Sequence, residues 1–271
     1  MRLNAVKVLG ISITNTSKKE ILEEIQKYLF PTTKNRQKPL VIFTPNTEQL
    51  VLAHKNPSFA EVMNRADIML PDTVGVVWGS RILTKTCMTE SIPGVEFMES
   101  LIEIAGDRHV LIGLIGGRGN LAVQTLDCLR QKYGILQDSL AEDGPEVEVR
   151  DGALFVHSTK KSTDEYFQNL AKRIIDAQVK IVFVALGPPK QEYFIETLAR
   201  ALGSYRVVLM AVGGSFDIIS GRLKRAPVWM RHMGLEWFWR LLLEPWRIRR
   251  QFALVEFVFL VLRASFHNHN V

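Results

Sequence analysis

The feature that most limits how this chain can fold is a set of short apolar runs, each ending on a turn residue and leading into a helix. PLVIFT (residues 39–44) shows no polar alternation, the mark of a strand buried on both faces. DIMLPD (67–72), HVLIGLIGG (109–117), KIVFVALG (180–187) and RVVLMAVGG (206–214) follow the same plan. Strand, loop and helix alternating over about 200 residues predict an α/β fold, a parallel sheet with helices on both faces and right-handed crossovers. With 47% hydrophobic and 23% charged residues among 271, the chain can bury one large core or two modest ones.

Local signals fill in the rest. The N-terminal MRLNAVKVLGISIT alternates apolar and polar residues and reads as a strand, not a signal peptide. Ser17 to Glu20 is a capping-box pattern that opens a helix through Tyr28. Pro31 to Lys38 is a turn, Thr47 is placed to cap the next helix, and Asn56-Pro57-Ser58 restarts a helix to Ala66. Gln137 to Lys161, rich in acids and turn formers, is open to three readings: a hairpin, an edge strand or a mobile loop. Cys87 and Cys128 stand far apart without partner ligands, so neither a disulfide framework nor a metal cluster is implied, and a reduced cytosol is the simplest home.

In an open parallel sheet the strand-to-helix junctions lie along one edge, where ligands bind. Thr44 and Asn46 end one run, Asp72 ends another, and Gln191 follows a third in GPPKQE, so these side chains can share one pocket. An aspartate after a strand is ordinarily a helix cap. Among neutral polar groups at a pocket rim, Asp72 can instead take a proton from an attacking sugar hydroxyl, as inverting glycosyl transfer requires. Gly116 and Gly117, with Gly113 and Gly119 beside them, and Gly187 lie where strands end and can offer backbone N–H groups to a diphosphate. Their spacing matches neither G-x-G-x-x-G nor G-x-x-x-x-G-K-[ST], and a tight packing turn explains Gly116 and Gly117 equally well. No Asp-x-Asp occurs, the nearest approach being Glu146-Val147-Glu148, so a metal-held diphosphate is not indicated and no metal or cofactor is expected. A departing diphosphate must then be met by cationic side chains.

Those cations are concentrated at one end. Residues 222–271 hold nine of the 34 Lys+Arg and three of the 28 Asp+Glu, so they carry the whole formal excess of +6. Four of the five tryptophans, Trp229, Trp237, Trp239 and Trp246, lie there too. Leu235 to Gln251 has helical spacing, with Pro245 set to kink or restart it. At about 100° per residue, Arg240, Arg247 and Arg250 fall within roughly 80° of one another, where three guanidiniums can grip phosphate oxygens. A solvated basic face is the competing reading. FALVEFVFLVL (252–262) is too short to span a bilayer; it suits an anionic membrane surface, and a dimer contact or a core-packing helix are the alternatives.

Three blocks, TPNTEQLVLAHKNPSFAEVMNRADIMLPDTVGVVWGSRIL, GPPKQE and GGSFDIISGRLKRAPVWMRHMGLEWFWRLLLEPWR, together resemble the WecG/TagA/CpsF family of bacterial glycosyltransferases over nearly the whole chain. The resemblance implies an inverting enzyme that moves a sugar from a UDP-sugar to an undecaprenyl-diphosphate-linked sugar in cell-surface polysaccharide or teichoic acid synthesis. N-acetylmannosamine or its uronic acid is the sugar implied, with glucose a further candidate. A Rossmann-like core is then expected over residues 1–221, and a basic helical appendage over 222–271 that completes the site at the inner face of the plasma membrane. By the same resemblance Asp72 is the general base, and Thr44, Asn46 and Gln191 line the pocket. Asp217 of GGSFD lies near the nucleotide, and Arg240, Arg247 and Arg250 meet diphosphate groups. Two stretches depart from the family pattern. SIPGVEF carries Ser91 and Glu96 where an R-x-x-G-x-D-like block has arginine and aspartate, and Gln137 to Phe155 lacks the usual G-Y-F-type block.

Two other classes compete. A nucleic-acid binder accounts for the basic aromatic tail but leaves the junction residues idle and has no recognisable motif, so no nucleic acid is expected as a partner. A non-catalytic membrane-surface scaffold also accounts for the tail and gives Asp72 no task. Apolar tail surface would favour self-association in water.

Overall fold

The computed structural model describes residues 3–32, 38–84, 86, 88, 90–157, 162–245 and 248–268, with backbone alone at 232, 249–251, 267 and 268. The expected N-terminal strand is a hairpin of β1 (Ala5–Val8) and β2 (Ile11–Thr14). Leu9 and Gly10, at φ 49° and 88°, form the two-residue left-handed turn whose twist matches paired strands. α1 (Lys18–Leu29) begins at Ser17 with its capping box to Glu20 formed. Then come β3 (Leu40–Phe43), α2 (Thr47–Lys55), α3 (Pro57–Asn64), β4 (Ile68–Met69), α4 (Val74–Leu83), α5 (Gly94–Asp107), β5 (Ile112–Gly116) and α6 (Leu121–Tyr133). β6 (Leu140–Glu142), β7 (Val147–Arg150), β8 (Ala153–Val156), α7 (Thr163–Asp176), β9 (Ile181–Ala185), α8 (Lys190–Leu202), β10 (Val208–Ala211) and α9 (Ser215–Ile219) complete the α/β part.

Six strands make one wholly parallel sheet in the order β4-β3-β10-β9-β5-β6. Its side chains alternate between two cores. Val182, Val184, Leu209 and Ala211 join Leu50, Phe59, Phe167 and Phe194 on one face, while Ile181, Phe183, Val208 and Met210 join Ile21, Leu101 and Leu126 on the other. Both faces are covered, which is why the runs carry no polar alternation. β3 and β10 are neighbours, yet the helices they feed pack on opposite faces, α2 placing Leu50 in one core and α9 placing Phe216 in the other. Chain diverging in this way opens a crevice at the strands' carboxyl ends.

Of the three readings for 137–161, two hold at once. β6 extends the sheet at its edge, and β7 with β8 forms a separate antiparallel hairpin. Residues 158–161 of that stretch, and 33–37 of the turn expected from Pro31 to Lys38, lie outside the described residues.

The basic tail forms α10 (Val228–His232), α11 (Glu236–Leu243) and α12 (Ile248–Asn268). The helical run over 235–251 is interrupted at Pro245, as its sequence predicts, with Pro245 between α11 and α12, because proline supplies no N–H and its ring crowds the preceding turn. Arg240 and Arg250 therefore lie on different helices, and the shared-face geometry of one straight helix does not apply to them. Arg247 lies outside the described residues, as does the Arg250 side chain. α12 docks on α2 and α4 through Phe257 and Val261, both fully buried, and Lys55 pairs with Glu256 at 2.6 Å. A Cβ at Gly79 of α4 would lie 2.7 Å from the Phe257 ring, so this helix contact needs glycine. Phe252, Val255, Phe259, Leu262 and Phe266 face outward and are exposed. No helix among the described residues is long and apolar enough to cross a membrane.

Candidate active site

Asp72 follows β4 and stands one residue before Thr73, the N-cap of α4. It does not cap that helix; its Oδ1 accepts the N–H of Gly94, the first residue of α5, at 2.6 Å. The helix-cap reading of an aspartate after a strand is thus correct in kind and wrong in helix. Gly94 also explains why Thr44 is there. A Cβ at residue 94 would lie 3.1 Å from Thr44 Cγ2, 3.2 Å from its Oγ1 and 3.3 Å from Asp72 Oδ1, so both side chains press on the same bare backbone. Thr44 Oγ1 donates to the Ala211 carbonyl at 3.3 Å, tying the end of β3 to the end of β10.

Burial pushes the Asp72 carboxyl up to about 6. The Gly94 N–H opposes that rise, Glu236 adds to it, and Arg240 and Arg225 oppose it. Three tail residues therefore act on Asp72. A Cβ at Gly214 would lie 3.2 Å from Arg240 Nη1 and 3.8 Å from Asp217 Oδ2, which places Arg240 and Asp217 beside the turn after β10. Trp239 fixes α11 there by donating its indole N–H to the Lys224 carbonyl at 2.9 Å.

Asn46, not Thr47, caps α2: its side chain accepts Gln49 N–H at 3.0 Å and its own N–H reaches Gln49 Oε1 at 3.2 Å. The Asn-x-x-Gln spacing is a capping-box signal that the sequence carries. Gln191 is only 2% exposed, with its Oε1 accepting Gly213 N–H at 3.1 Å and its Nε2 donating to Glu192 at 2.9 Å. It thus shapes the rim from inside instead of lining it. Glu192 is fully buried, accepts a second bond from Gln49 Nε2 at 2.9 Å, and burial pushes its carboxyl up to about 7.

The glycine loop after β5 behaves differently from the diphosphate cradle considered for it. Gly116, at φ 123°, would place a Cβ 2.4 Å from the Ala185 carbonyl oxygen, and Gly117 N–H bonds that carbonyl at 3.0 Å. Both glycines serve the close approach of β5 to the end of β9. The Asn120 N–H at the head of α6 is taken by Asp143 at 3.1 Å. Arg222 covers the carbonyls of Arg118 at 3.2 Å and Gly119 at 2.9 Å. Gly187, at φ 73°, has open space around it and accepts Gln191 N–H with its carbonyl.

Sequence reasoning missed Arg225 and Arg231. Arg225 reaches Glu96 at 2.7 Å and Glu236 at 3.7 Å, and Arg231 reaches the same Glu96 oxygen at 3.0 Å. Glu96 is thereby the anchor for two tail arginines, two residues along α5 from the Gly94 that holds Asp72.

The family model described as "Glycosyl transferase WecG/TagA/CpsF family" matches residues 6–271. An N-acetylglucosaminyldiphosphoundecaprenol N-acetyl-beta-D-mannosaminyltransferase of Bacillus subtilis (strain 168) is 33% identical over 223 residues, covering 82% of this chain and 79% of the relative. One of the same description from Staphylococcus aureus (strain NCTC 8325 / PS 47) is 29% identical over 260 residues, covering 96% and 93%. Because the family match takes in the Asp72 corner and the arginine-bearing tail together, the chain belongs to the WecG/TagA/CpsF family of glycosyl transferases.

Proposed function

We propose that this glycosyltransferase moves N-acetylmannosamine, or its uronic acid, from a UDP-sugar onto N-acetylglucosaminyl-diphospho-undecaprenol, with inversion, in the synthesis of a cell-envelope polymer. The relatives' printed names support the acceptor and the sugar. The observation that carries the mechanism is Asp72, a carboxylate raised to about 6 beside Thr44 at the central crevice, with Arg240 and Arg225 close enough to act on its charge.

In this reading Asp72 accepts the proton of the acceptor hydroxyl as that oxygen bonds to the anomeric carbon. The carbon–oxygen bond to the nucleotide diphosphate breaks on the opposite side, which inverts the centre. A base raised toward neutrality is ionised at cellular pH yet basic enough to take the proton. Arg240, beside Asp217 at the β10 turn, meets the charge that gathers on the departing diphosphate. Cationic side chains in this place make a divalent ion unnecessary, and turnover undiminished by EDTA is the expected result.

The outward face of α12 supports attachment at the inner face of the plasma membrane. Phe252, Val255 and Phe266 are each 71% exposed on a helix whose other face is fixed to the core. Such a helix can lie in the headgroup layer without spanning it.

The test is release of UDP from a panel of UDP-sugars with a short-chain polyprenyl-diphosphate-GlcNAc acceptor. Turnover with a mannosamine-type donor that disappears in Asp72→Asn supports the reading. Wild-type turnover in that variant ends it.

A further inference from the structure

Three of the loops at the strands' carboxyl edge are joined by one buried group. Glu192 Oε1 accepts from Gln49 Nε2 and from Gln191 Nε2, each at 2.9 Å. Gln49 Oε1 in turn accepts the N–H of Asn46, and Gln191 Oε1 accepts the N–H of Gly213. Glu192 itself lies in the first turn of α8, after β9, so its carboxylate ties the β3–α2 corner to the β10–α9 turn through two amide side chains. Glu192, Gln191 and Gln49 are 0%, 2% and 3% exposed. Its second oxygen, Oε2, is buried and has no hydrogen-bond partner among the described residues.

Packing alone would not keep a carboxylate there, since an apolar side chain fills such a space without the desolvation penalty. One acceptor oxygen shared by two amide donors does something that an apolar group cannot: it fixes which way both amides face. With Gln49 and Gln191 held nitrogen-inward, their oxygens must face the backbone N–H groups of Asn46 and Gly213. We infer that Glu192 is a positioning residue for the transfer reaction, setting the Asn46 corner and the Gly213-Gly214 turn, and through the latter the seat of Arg240 and Asp217. The inference rests on the proposed function for its link to turnover, but its structural half stands apart from activity.

The full-length protein is compared with Glu192→Ala, Glu192→Gln and Gln49→Leu by amide hydrogen exchange and by steady-state transfer. In Glu192→Ala, exchange at residues 46–49 and 213–215 should quicken roughly tenfold, the loss expected from unpaired buried amides, with the β1–β2 hairpin unchanged. Its kcat should fall on the order of 100-fold with a smaller change in KM, the signature of misplaced groups. Glu192→Gln, which keeps one acceptor oxygen, should recover most of both. Gln49→Leu should loosen 46–49 alone, and serves if Glu192→Ala does not fold. Unchanged exchange at both loops, or a wild-type kcat in Glu192→Ala, overturns the inference. If the wild type turns over no UDP-sugar, the proposed function fails by itself and the exchange pattern alone decides the role of Glu192.

Discussion

Two strand-to-helix junctions of the same sheet invite opposite expectations. The β5–α6 loop, rich in glycine and opening a helix, has the look of an anion site; the β4–α4 corner has one aspartate in an ordinary place. The surroundings of the two junctions differ. At the glycine loop the chain itself engages several groups that a phosphate would call on: Asp143 takes the Asn120 N–H, the Arg222 guanidinium is bonded to two loop carbonyls, and Gly116 and Gly117 let β5 approach Ala185. At the other corner, burial, a glycine amide and tail arginines converge on a carboxylate that remains partly accessible. Local composition shows where backbone can bend, whereas groups distant in sequence decide whether the bend is filled.

The sharpest way to break this contrast is Asp72→Asn. Turnover should drop by about 10²–10⁴-fold, the usual loss on removing a general base. The wild-type kcat/KM should fall as pH drops through about 6, where Asp72 takes up its proton, and this limb should vanish from the residual activity of the variant. Stability should move the other way. The carboxyl is raised from 3.8 to about 6, so the folded chain holds this proton more tightly than the unfolded one, and stability falls as pH rises between those values. Asp72→Asn should therefore melt higher than wild type at neutral pH, by on the order of 1–2 kcal/mol given the partial exposure, with the gap closing near the acid end.

Arg240→Ala comes next, with a loss of about 10²–10³-fold in kcat expected if its guanidinium meets the leaving diphosphate. Arg240→Lys should recover part of that, since a point charge replaces the fork. The paired control is Arg222→Ala at the glycine loop, which should change melting temperature more than kcat. Equal losses of kcat at both arginines would mean that the glycine loop takes part in the chemistry.

Much of this contrast was hidden from the sequence for a physical reason. Buried runs without alternation disclosed the strands, because burial on both faces is written in consecutive residues. The convergence of Thr44 and Asp72 followed from the rule that strand ends share an edge. What could not be read is pairing at long range. Gly94 lies 22 residues from Asp72, Glu96 lies 129 and 135 residues from Arg225 and Arg231, and Gln49 lies 143 from Glu192. Each pair depends on strand order or on the path of the chain after β10, neither of which leaves a local pattern. Gln191 shows the converse limit: its position at the edge was legible, but its inward orientation depended on a buried partner next to it.

Gly116→Ala tests the packing side of the comparison. A Cβ 2.4 Å from the Ala185 carbonyl oxygen, at φ 123°, should destabilise the fold by about 1–3 kcal/mol or force β5 and β9 apart, seen as a lower melting temperature. The KM for the UDP-sugar in the fraction that remains folded should stay near the wild-type value.

The smallest effect is expected from Asp143→Ala, and it bears most directly on what the glycine loop is for. Asp143 is exposed and accepts the Asn120 N–H, so removing it leaves the head of α6 to water and should lower stability by only about 0.3–1 kcal/mol. If the loop is structural, the UDP-sugar KM and its salt dependence should not move. Tighter donor binding in this variant would show that Asp143 occupies an anion site that a diphosphate can claim. The difference between the two junctions would then be one of occupancy, not of architecture.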